Sequence, residues 1–157
     1  MRTAKTIRKR TTETDPKNRS VTLGKFINYL MRDGKKNTAT QILYRALDEI
    51  AVKTKQDPLQ VFDQAIKNSS PLLEVRPRRI GGATYQVPME VKPDRARSLA
   101  YRAIIKSARK KQGKPMADFL AEELLQSAKG EGEAVRRRDE LHRLAEANRA
   151  FAHYARF

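Results

Sequence analysis

The chain of 157 residues has no cysteine, and only 6% of its residues are aromatic. The absence of cysteine excludes a disulfide framework, thiolate zinc sites and a thiol nucleophile. The longest stretch without a charged residue is ten residues, 80–89, whereas a transmembrane helix needs about twice that length. The basic residues near the N-terminus precede no apolar segment of the kind found in signal peptides. We therefore expect a soluble cytoplasmic protein with no membrane partner.

Acidic residues are scarce, and the positive charge is unevenly distributed. There are 34 Lys and Arg against 18 Asp and Glu, which gives a formal charge of +16. Counted by segment, residues 1–20 carry +5, residues 21–70 carry +3, residues 71–112 carry +8 and residues 113–157 carry 0. Such sorting favours a polyanionic partner, with nucleic acid ahead of an acidic membrane surface.

Motifs for catalysis and for cofactor or metal binding are also missing. No glycine-rich phosphate loop is present, and the only histidines, His142 and His153, lack a metal-ligand spacing. A metal-dependent nuclease remains an alternative because carboxylates cluster at Glu122-Glu123, Glu131, Glu133 and Asp139-Glu140. Their basic neighbours favour i,i+4 pairing instead. We therefore predict no enzyme activity, no cofactor, no metal and no small-molecule substrate.

The pattern of apolar residues predicts a mainly α single domain of about six helices with one protruding β-hairpin. Helical spacing over residues 23–31 follows Ser20 as a candidate N-cap. A second helix is predicted from about Thr38, and a third begins at Asp57-Pro58. Pro93-Asp94 opens a fourth helix that runs to about residue 111, and two more helices follow, the last reaching Phe151.

Residues 72–92 alternate in polarity with period two, which predicts a β-hairpin that turns at Gly81-Gly82. Pro77 and Pro88 cannot donate ladder hydrogen bonds, so each strand must have a free edge. Because two strands alone are marginal in water, the ribbon either projects from a helical body or is braced by another segment.

Two groups of cations are candidates for binding RNA. Arg76, Arg78 and Arg79 lead into the hairpin turn. On the fourth helix, four cations fall within an arc of about 60°, namely Arg95, Arg102, Lys106 and Arg109. Because aromatic residues are few and scattered along the sequence, structured RNA or duplex fits better than a single strand bound by base stacking.

Residues 1–15 have almost no apolar content and are predicted to form a flexible basic arm that contains Arg2, Arg8 and Arg10. Residues 16–157 then form the single helical RNA-binding domain.

Three blocks of sequence resemble the bacterial or organellar type of small-subunit ribosomal protein seven. They are DPK at 15–17 with KFINYLMRDGKK at 25–36, RRIGGATYQVPMEV at 78–91, and HRLAEANRAFAHY at 142–154. The blocks occur in the family's order with similar spacing. The first residues, Arg2-Thr3-Ala4-Lys5, depart from the usual Pro-Arg-Arg opening of that family.

The resemblance implies a structural constituent of the small ribosomal subunit, in the bacterial cytoplasm or the plastid stroma. Such a protein binds the 3-prime major domain of the rRNA directly, nucleates assembly of the subunit head and neighbours ribosomal proteins nine and eleven. It lies near the exit-site tRNA and the mRNA, which Gly81, Gly82 and Ala83 of the tip and Arg143 would face. Carried onto this sequence, the rRNA-binding residues are Arg2, Arg8, Arg10, Lys35, Lys36, Arg76, Arg78, Arg79, Arg95, Arg102, Lys106, Arg109 and Lys110.

The alternative is a DNA-architectural protein whose β-ribbon grips the minor groove. Such proteins place an apolar wedge, often proline, at the ribbon tip to unstack bases. Here the tip is Gly81-Gly82-Ala83 and the prolines lie in mid-strand, which weighs against this function.

Overall fold

The computed structural model describes residues 14–156, although not the side chains of residues 155 and 156. Within that range six α-helices and two strands follow one another: α1 Val21–Leu30, α2 Lys36–Thr54, α3 Pro58–Ser69, β1 Leu73–Ile80, β2 Ala83–Glu90, α4 Pro93–Lys110, α5 Met116–Lys129 and α6 Glu133–Ala147. A 3-10 helix, Arg149–Arg156, comes last. The predicted mainly α fold with one hairpin is confirmed. The last α-helix ends earlier than predicted, and Phe151 belongs to the 3-10 helix instead.

The helix starts follow from the capping residues. The Ser20 hydroxyl accepts a hydrogen bond from the Leu23 amide at 3.4 Å, and the Asp57 carboxylate accepts one from the Leu59 amide at 3.0 Å. Each cap satisfies an amide that would otherwise lack a partner in the first helical turn. Helix α2 has no side-chain cap and begins at Lys36, slightly before the predicted start at Thr38.

The core fixes α4 through its inner face. Phe26 of α1 packs edge-on against Phe62 of α3 and Tyr101 of α4, with ring centroids 5.2 and 5.5 Å apart. Edge-to-face contacts of this kind are favourable beyond the area they bury. Ile104 of α4 is fully buried. With one side of α4 committed to this core, its cations lie on the other side.

The hairpin is a regular antiparallel ribbon with a two-residue turn. Its register pairs Leu73 with Glu90 at the base and Ile80 with Ala83 at the tip. Gly81 and Gly82 both have positive φ, 57° and 88°. Two successive left-handed residues define the turn that matches the twist of a hairpin. The predicted Gly81-Gly82 turn is therefore confirmed.

The ribbon is braced by the C-terminal part of the described chain. The Tyr85 ring contacts Phe151 and Tyr154 of the 3-10 helix, with centroids 5.3 and 5.4 Å apart. At the base, the Leu72 amide donates to Nε2 of His142 at 2.9 Å, which gives this histidine a structural role. Of the two arrangements open from the sequence, the braced ribbon is the one observed, and aromatic residues scattered in the sequence meet here.

Asp15 belongs to the folded body and not to the arm that the sequence assigned to residues 1–15. It is only 1% exposed. Its carboxylate accepts hydrogen bonds from the Tyr44 hydroxyl at 2.6 Å and from the Asn18 amide at 2.9 Å. Two strong donors offset the cost of removing this carboxylate from water. The remainder of the predicted arm, residues 1–13, lies outside the described residues, and so do Arg2, Arg8 and Arg10.

Candidate nucleic-acid interface

An open cavity of about 440 Å³ lies between the C-terminal end of α1 and the outer face of α4. Five cations line it and no carboxylate does, although one of the five, Lys110, pairs with Glu133 outside the lining at 3.3 Å. They are Arg32, Arg102, Lys106, Arg109 and Lys110, together with Tyr29 and Ile105. A concave surface with several convergent cations and no carboxylate in its lining is suited to binding an anion such as phosphate.

A second cavity of about 310 Å³ adjoins the first, since Arg32 and Arg109 line both. Lys35 is its third cation, and its other walls are formed mainly by apolar residues of α1, α2 and α5. It also has no carboxylate among its lining residues. We call these two adjoining cavities, with their cations, the cationic belt. Lys36, at the start of α2, is exposed and lines neither cavity.

Arg109 has a structural contact as well as a place in the belt. Its guanidinium donates to the carbonyl of Leu30 at 2.8 Å, one of the α1 carbonyls that lack a partner within the helix. Burial, and secondly the neighbouring charge of Arg32, lower the pKa of Arg109 from its ordinary value. The charged guanidinium of Arg109 is therefore less favoured here than in water, mainly because it is buried and secondly because Arg32 lies nearby.

Arg102 is positioned by an aromatic ring. Its guanidinium carbon lies 5.5 Å from the centre of the Tyr29 ring, a cation–π arrangement. The Tyr29 ring packs against the ring of Tyr101, with centroids 5.5 Å apart. Because Tyr101 is buried in the core, this stack connects an exposed arginine to the rigid interior.

The hairpin base has a different electrostatic arrangement. Glu74 of β1 is largely buried, and its carboxylate lies between two arginines. Oε1 accepts from Nε of Arg76 at 2.6 Å, and Oε2 lies 3.3 Å from Nη2 of Arg95. Arg95 therefore separates from the other three residues of the predicted stripe. The structure brings Arg102, Lys106 and Arg109 together in the belt, and it places Arg95 at the hairpin base.

The other candidate residues lie along the ribbon and on α6. Arg78 and Arg79 of β1 are opposite Tyr85 and Thr84, and neither arginine has an ion pair or hydrogen bond within the described residues. The tip is exposed at Gly81, Gly82 and Ala83, as is Arg143 of α6.

Sequence reasoning missed Tyr29 and Arg32 as parts of the interface. The available signal was the spacing of three residues between Tyr29 and Arg32, which would place them on one face of a helix. The signal was weak because α1 ends at Leu30, so only the tertiary contact with α4 decides where Arg32 lies.

Within the described residues, four carboxylates of this cluster form ion pairs, and none of those pairs has the predicted i,i+4 spacing. Glu123 is fully buried, accepts from the Ala134 amide at 3.0 Å and lies 3.3 Å from the Lys111 ammonium. Glu122 lies 2.6 Å from Lys114. The Lys114 hydrogen bond lowers the pKa of Glu122. Within residues 14–156, no grouping of three His, Asp or Glu residues could hold a metal ion.

The geometry describes a helical scaffold with a concave cationic face and a braced ribbon, the form expected of a protein that binds a large polyanion. None of the helices between residues 14 and 156 is both long and apolar enough to span a membrane.

Comparison with known proteins identifies the family. The family model described as "Ribosomal protein S7p/S5e" matches residues 1–149. Relatives named "Small ribosomal subunit protein uS7" include those of Dictyoglomus turgidum, 56% identical over 140 residues (89% of this chain and 90% of the relative), and Thermomicrobium roseum, 54% identical over 146 residues (93% and 94%). The relative from Thermotoga maritima is 53% identical over 146 residues. The chain belongs to the S7p/S5e family of ribosomal proteins, which is a structural and non-enzymatic family.

Proposed function

We propose that this protein is a structural constituent of the small ribosomal subunit that binds the 3-prime major domain of the rRNA directly. The observation that carries the proposal is the cationic belt, in which Arg32, Lys35, Arg102, Lys106 and Arg109 converge without a lining carboxylate. Membership of a ribosomal protein family supplies the class of RNA. Binding rRNA places the protein in the ribosome, and the bacterial relatives favour the bacterial cytoplasm.

Binding through phosphates and RNA shape agrees with the chemistry of the belt. Its cations are guanidinium and ammonium groups, which recognise phosphate oxygens, and Arg can do so with two parallel hydrogen bonds. The one aromatic side chain in its first cavity, Tyr29, is already engaged by Arg102 and Tyr101. It is therefore poorly placed to stack on a base, and structured RNA is the ligand that fits.

The hairpin base forms a second contact region in this proposal. Arg76 and Arg95 are held on Glu74, while Arg78 and Arg79 extend along β1 toward the tip. Anchoring at both regions would order the RNA around this protein, which is the step we propose for nucleating the subunit head. Lys36 adds charge beside the belt, Lys110 contributes as one of its lining cations, and Arg2, Arg8 and Arg10 would extend the contact from the N-terminus.

The exposed tip and α6 are assigned a different role. Gly81, Gly82 and Ala83 carry no charge and add little to phosphate binding. We place this tip and Arg143 near the exit-site tRNA and the mRNA, with ribosomal proteins nine and eleven as neighbours. The support is the family resemblance together with the slim, exposed form of the braced ribbon.

The test is RNA binding by the double variant Arg102→Ala/Lys106→Ala. A transcript of the 3-prime major domain is titrated by filter binding at several salt concentrations. We expect affinity to fall at least tenfold, about 1.4 kcal/mol, and the slope of log affinity against log salt to shrink by about two units.

The matched control is Arg45→Ala/Lys129→Ala, which removes the same charge from exposed positions that line neither cavity of the belt. An equal loss of affinity in both double variants would mean that only net charge matters. No binding of the transcript by the unaltered protein, or tighter binding to duplex DNA, would refute the proposed function.

A further inference from the structure

We infer that the cationic belt continues across α4 onto α6, where a third cavity binds one phosphodiester of the RNA strand together with its ribose. This inference rests on the proposed function and assigns it a further binding site. The cavity measures about 350 Å³ and lies between the end of α3, the outer face of α4 and the first half of α6.

Continuity with the belt is the first observation. Arg102 and Lys106 line both the largest cavity of the belt and this third cavity. Arg137 and Arg138 of α6 add two cations on its far side, and no carboxylate lines it. An RNA strand that follows the belt along α4 therefore meets another carboxylate-free concave surface beyond Lys106.

The second observation is that the two arginines of α6 at this cavity differ in their hydrogen bonds and ion pairs. Arg138 donates to the carbonyl of Asn68 at 2.5 Å and to the carboxylate of Asp139 at 2.6 Å. Arg137 is exposed and, within residues 14–156, has neither an ion pair nor a hydrogen bond. Arg138 thus has a structural role in joining α6 to α3, and Arg137 is the residue available for a phosphate.

An unsatisfied buried hydroxyl provides the third, independent observation. Ser69 lines the cavity, is only 2% exposed, and its Oγ has no hydrogen-bond partner within the described residues. A buried polar group without a partner is costly, and natural structures contain few of them. A ribose or phosphate oxygen bound in the cavity would satisfy it once the Ser69 side chain rotates toward the cavity, because Oγ is enclosed in the free protein.

The remaining walls fit the sugar of a nucleotide. Leu99 of α4 and Leu141 of α6 are half-buried at the cavity, and Pro71 is buried beside Ser69. Apolar walls with a few convergent polar groups are the usual composition of a small-molecule site. Here they provide a surface for the ribose, while Arg137 and Lys106 face the phosphate.

The experiment compares two adjacent arginines of α6. Arg137→Ala removes the proposed ligand, whereas Arg136→Ala removes an equal charge from an exposed position on the same helix that does not line the cavity. Both proteins are titrated with the 3-prime major domain transcript over a range of salt concentrations. Equal urea midpoints establish that both variants are folded.

We expect Arg137→Ala to lower the affinity about tenfold or more and to reduce the salt slope by about one unit. Arg136→Ala should stay within about twofold of the unaltered protein. Ser69→Ala should lower the affinity about twofold to tenfold with an unchanged salt slope, since it removes one neutral hydrogen bond.

The inference is overturned if the unaltered protein binds the transcript normally and the Arg137 and Arg136 variants are equal in affinity and slope. Failure of the unaltered protein to bind the transcript would instead overturn the proposed function. The two failures are therefore distinguishable in one titration series.

Discussion

The cationic belt and the hairpin base both contain several arginines, but among the described residues these arginines are paired with a carboxylate only at the hairpin base. At the hairpin base, Glu74 pairs with Arg76 and Arg95. In the belt, Arg32 and Arg109 line the same two cavities without a carboxylate. Pairing fixes the direction of a side chain but cancels part of its charge. Leaving charges unpaired preserves their attraction for a ligand at a cost to the stability of the free protein.

The two regions differ in the electrostatic cost that they add to the folded protein. In the belt, burial and then the neighbouring charge of Arg32 lower the pKa of Arg109, so the charged guanidinium is less favoured there than at a fully exposed position. The hairpin has less supporting structure, since its sheet has only two strands, and at its base Arg76 and Arg95 share the carboxylate of Glu74. Belt residues should therefore affect binding more than stability, and Glu74 should affect stability first.

The largest effect on stability is expected for Glu74→Ala. Its side chain is only 10% exposed, and the change removes the carboxylate partner of Arg76 and Arg95 at the hairpin base. Because both arginines are about half exposed, solvent reduces the cost below that of a fully buried pair. We expect the free energy of unfolding to fall by about 2 kcal/mol, measured by urea denaturation.

Glu90→Ala is the control for that experiment because Glu90 is an exposed carboxylate on the neighbouring strand. It should change the free energy of unfolding by less than about 0.5 kcal/mol. If the two variants lost equal stability, the pairing at the hairpin base would have no structural role.

For Arg32→Ala we expect an intermediate effect, which lowers the affinity for RNA and does not lower the stability. Removing this exposed cation relieves the repulsion with Arg109, so the unfolding free energy should stay constant or rise by up to about 0.5 kcal/mol. Affinity for the rRNA transcript should nevertheless fall about tenfold. Arg45→Ala, which lies outside the belt, should leave both nearly unchanged. A loss of stability in Arg32→Ala would remove the contrast between the two regions.

The smallest effect concerns the hydrogen bond between Tyr44, which is half-buried, and the buried Asp15, and its pH dependence is expected at alkaline pH. Burial, followed by the hydrogen bond to Asp15, raises the pKa of Tyr44 above its ordinary value of 10.0. The folded state thus favours the neutral phenol. The stability that this provides is complete below pH 10 and is lost as pH rises through the folded pKa.

Comparison with Tyr44→Phe isolates this contribution. Below pH 10 the unaltered protein should be more stable than the variant by about 1 kcal/mol, the value of one hydrogen bond. That difference should shrink above pH 10, as followed by urea denaturation at a series of pH values. A difference independent of pH would show that the Asp15 hydrogen bond does not govern the titration of Tyr44.

The helical part of the fold follows from local sequence signals, whereas the long-range contacts do not. Ser20 and Asp57 act as caps, and Gly81-Gly82 forms the turn, because each depends only on residues nearby. The contact of Tyr85 with Phe151 and the burial of Asp15 depend on chain segments far apart in sequence. Amino-acid composition and hydrophobic periodicity carry no information about such long-range contacts.

The candidate site was predictable only in part for the same reason. Helical geometry places Arg102, Lys106 and Arg109 on one face of α4, and the structure confirms that placement. Helical geometry alone cannot show that Glu74 draws Arg95 away to the hairpin base, or that α1 brings Arg32 beside Arg109. The distribution of charge along the sequence therefore pointed to the cationic face of α4. Which other residues lie beside that face depends on tertiary packing.

The aromatic contact between the ribbon and the 3-10 helix affects the order in which parts of the protein fold during synthesis. Tyr85 contacts Phe151 and Tyr154, which leave the translating ribosome long after the hairpin has emerged. A two-stranded ribbon has little stability alone, so the nascent hairpin remains loosely formed until those rings arrive. The helical core can form earlier, because its central residues Phe26, Phe62 and Tyr101 all precede those rings in the chain. The ribbon is therefore the last part of the nascent chain to become fixed.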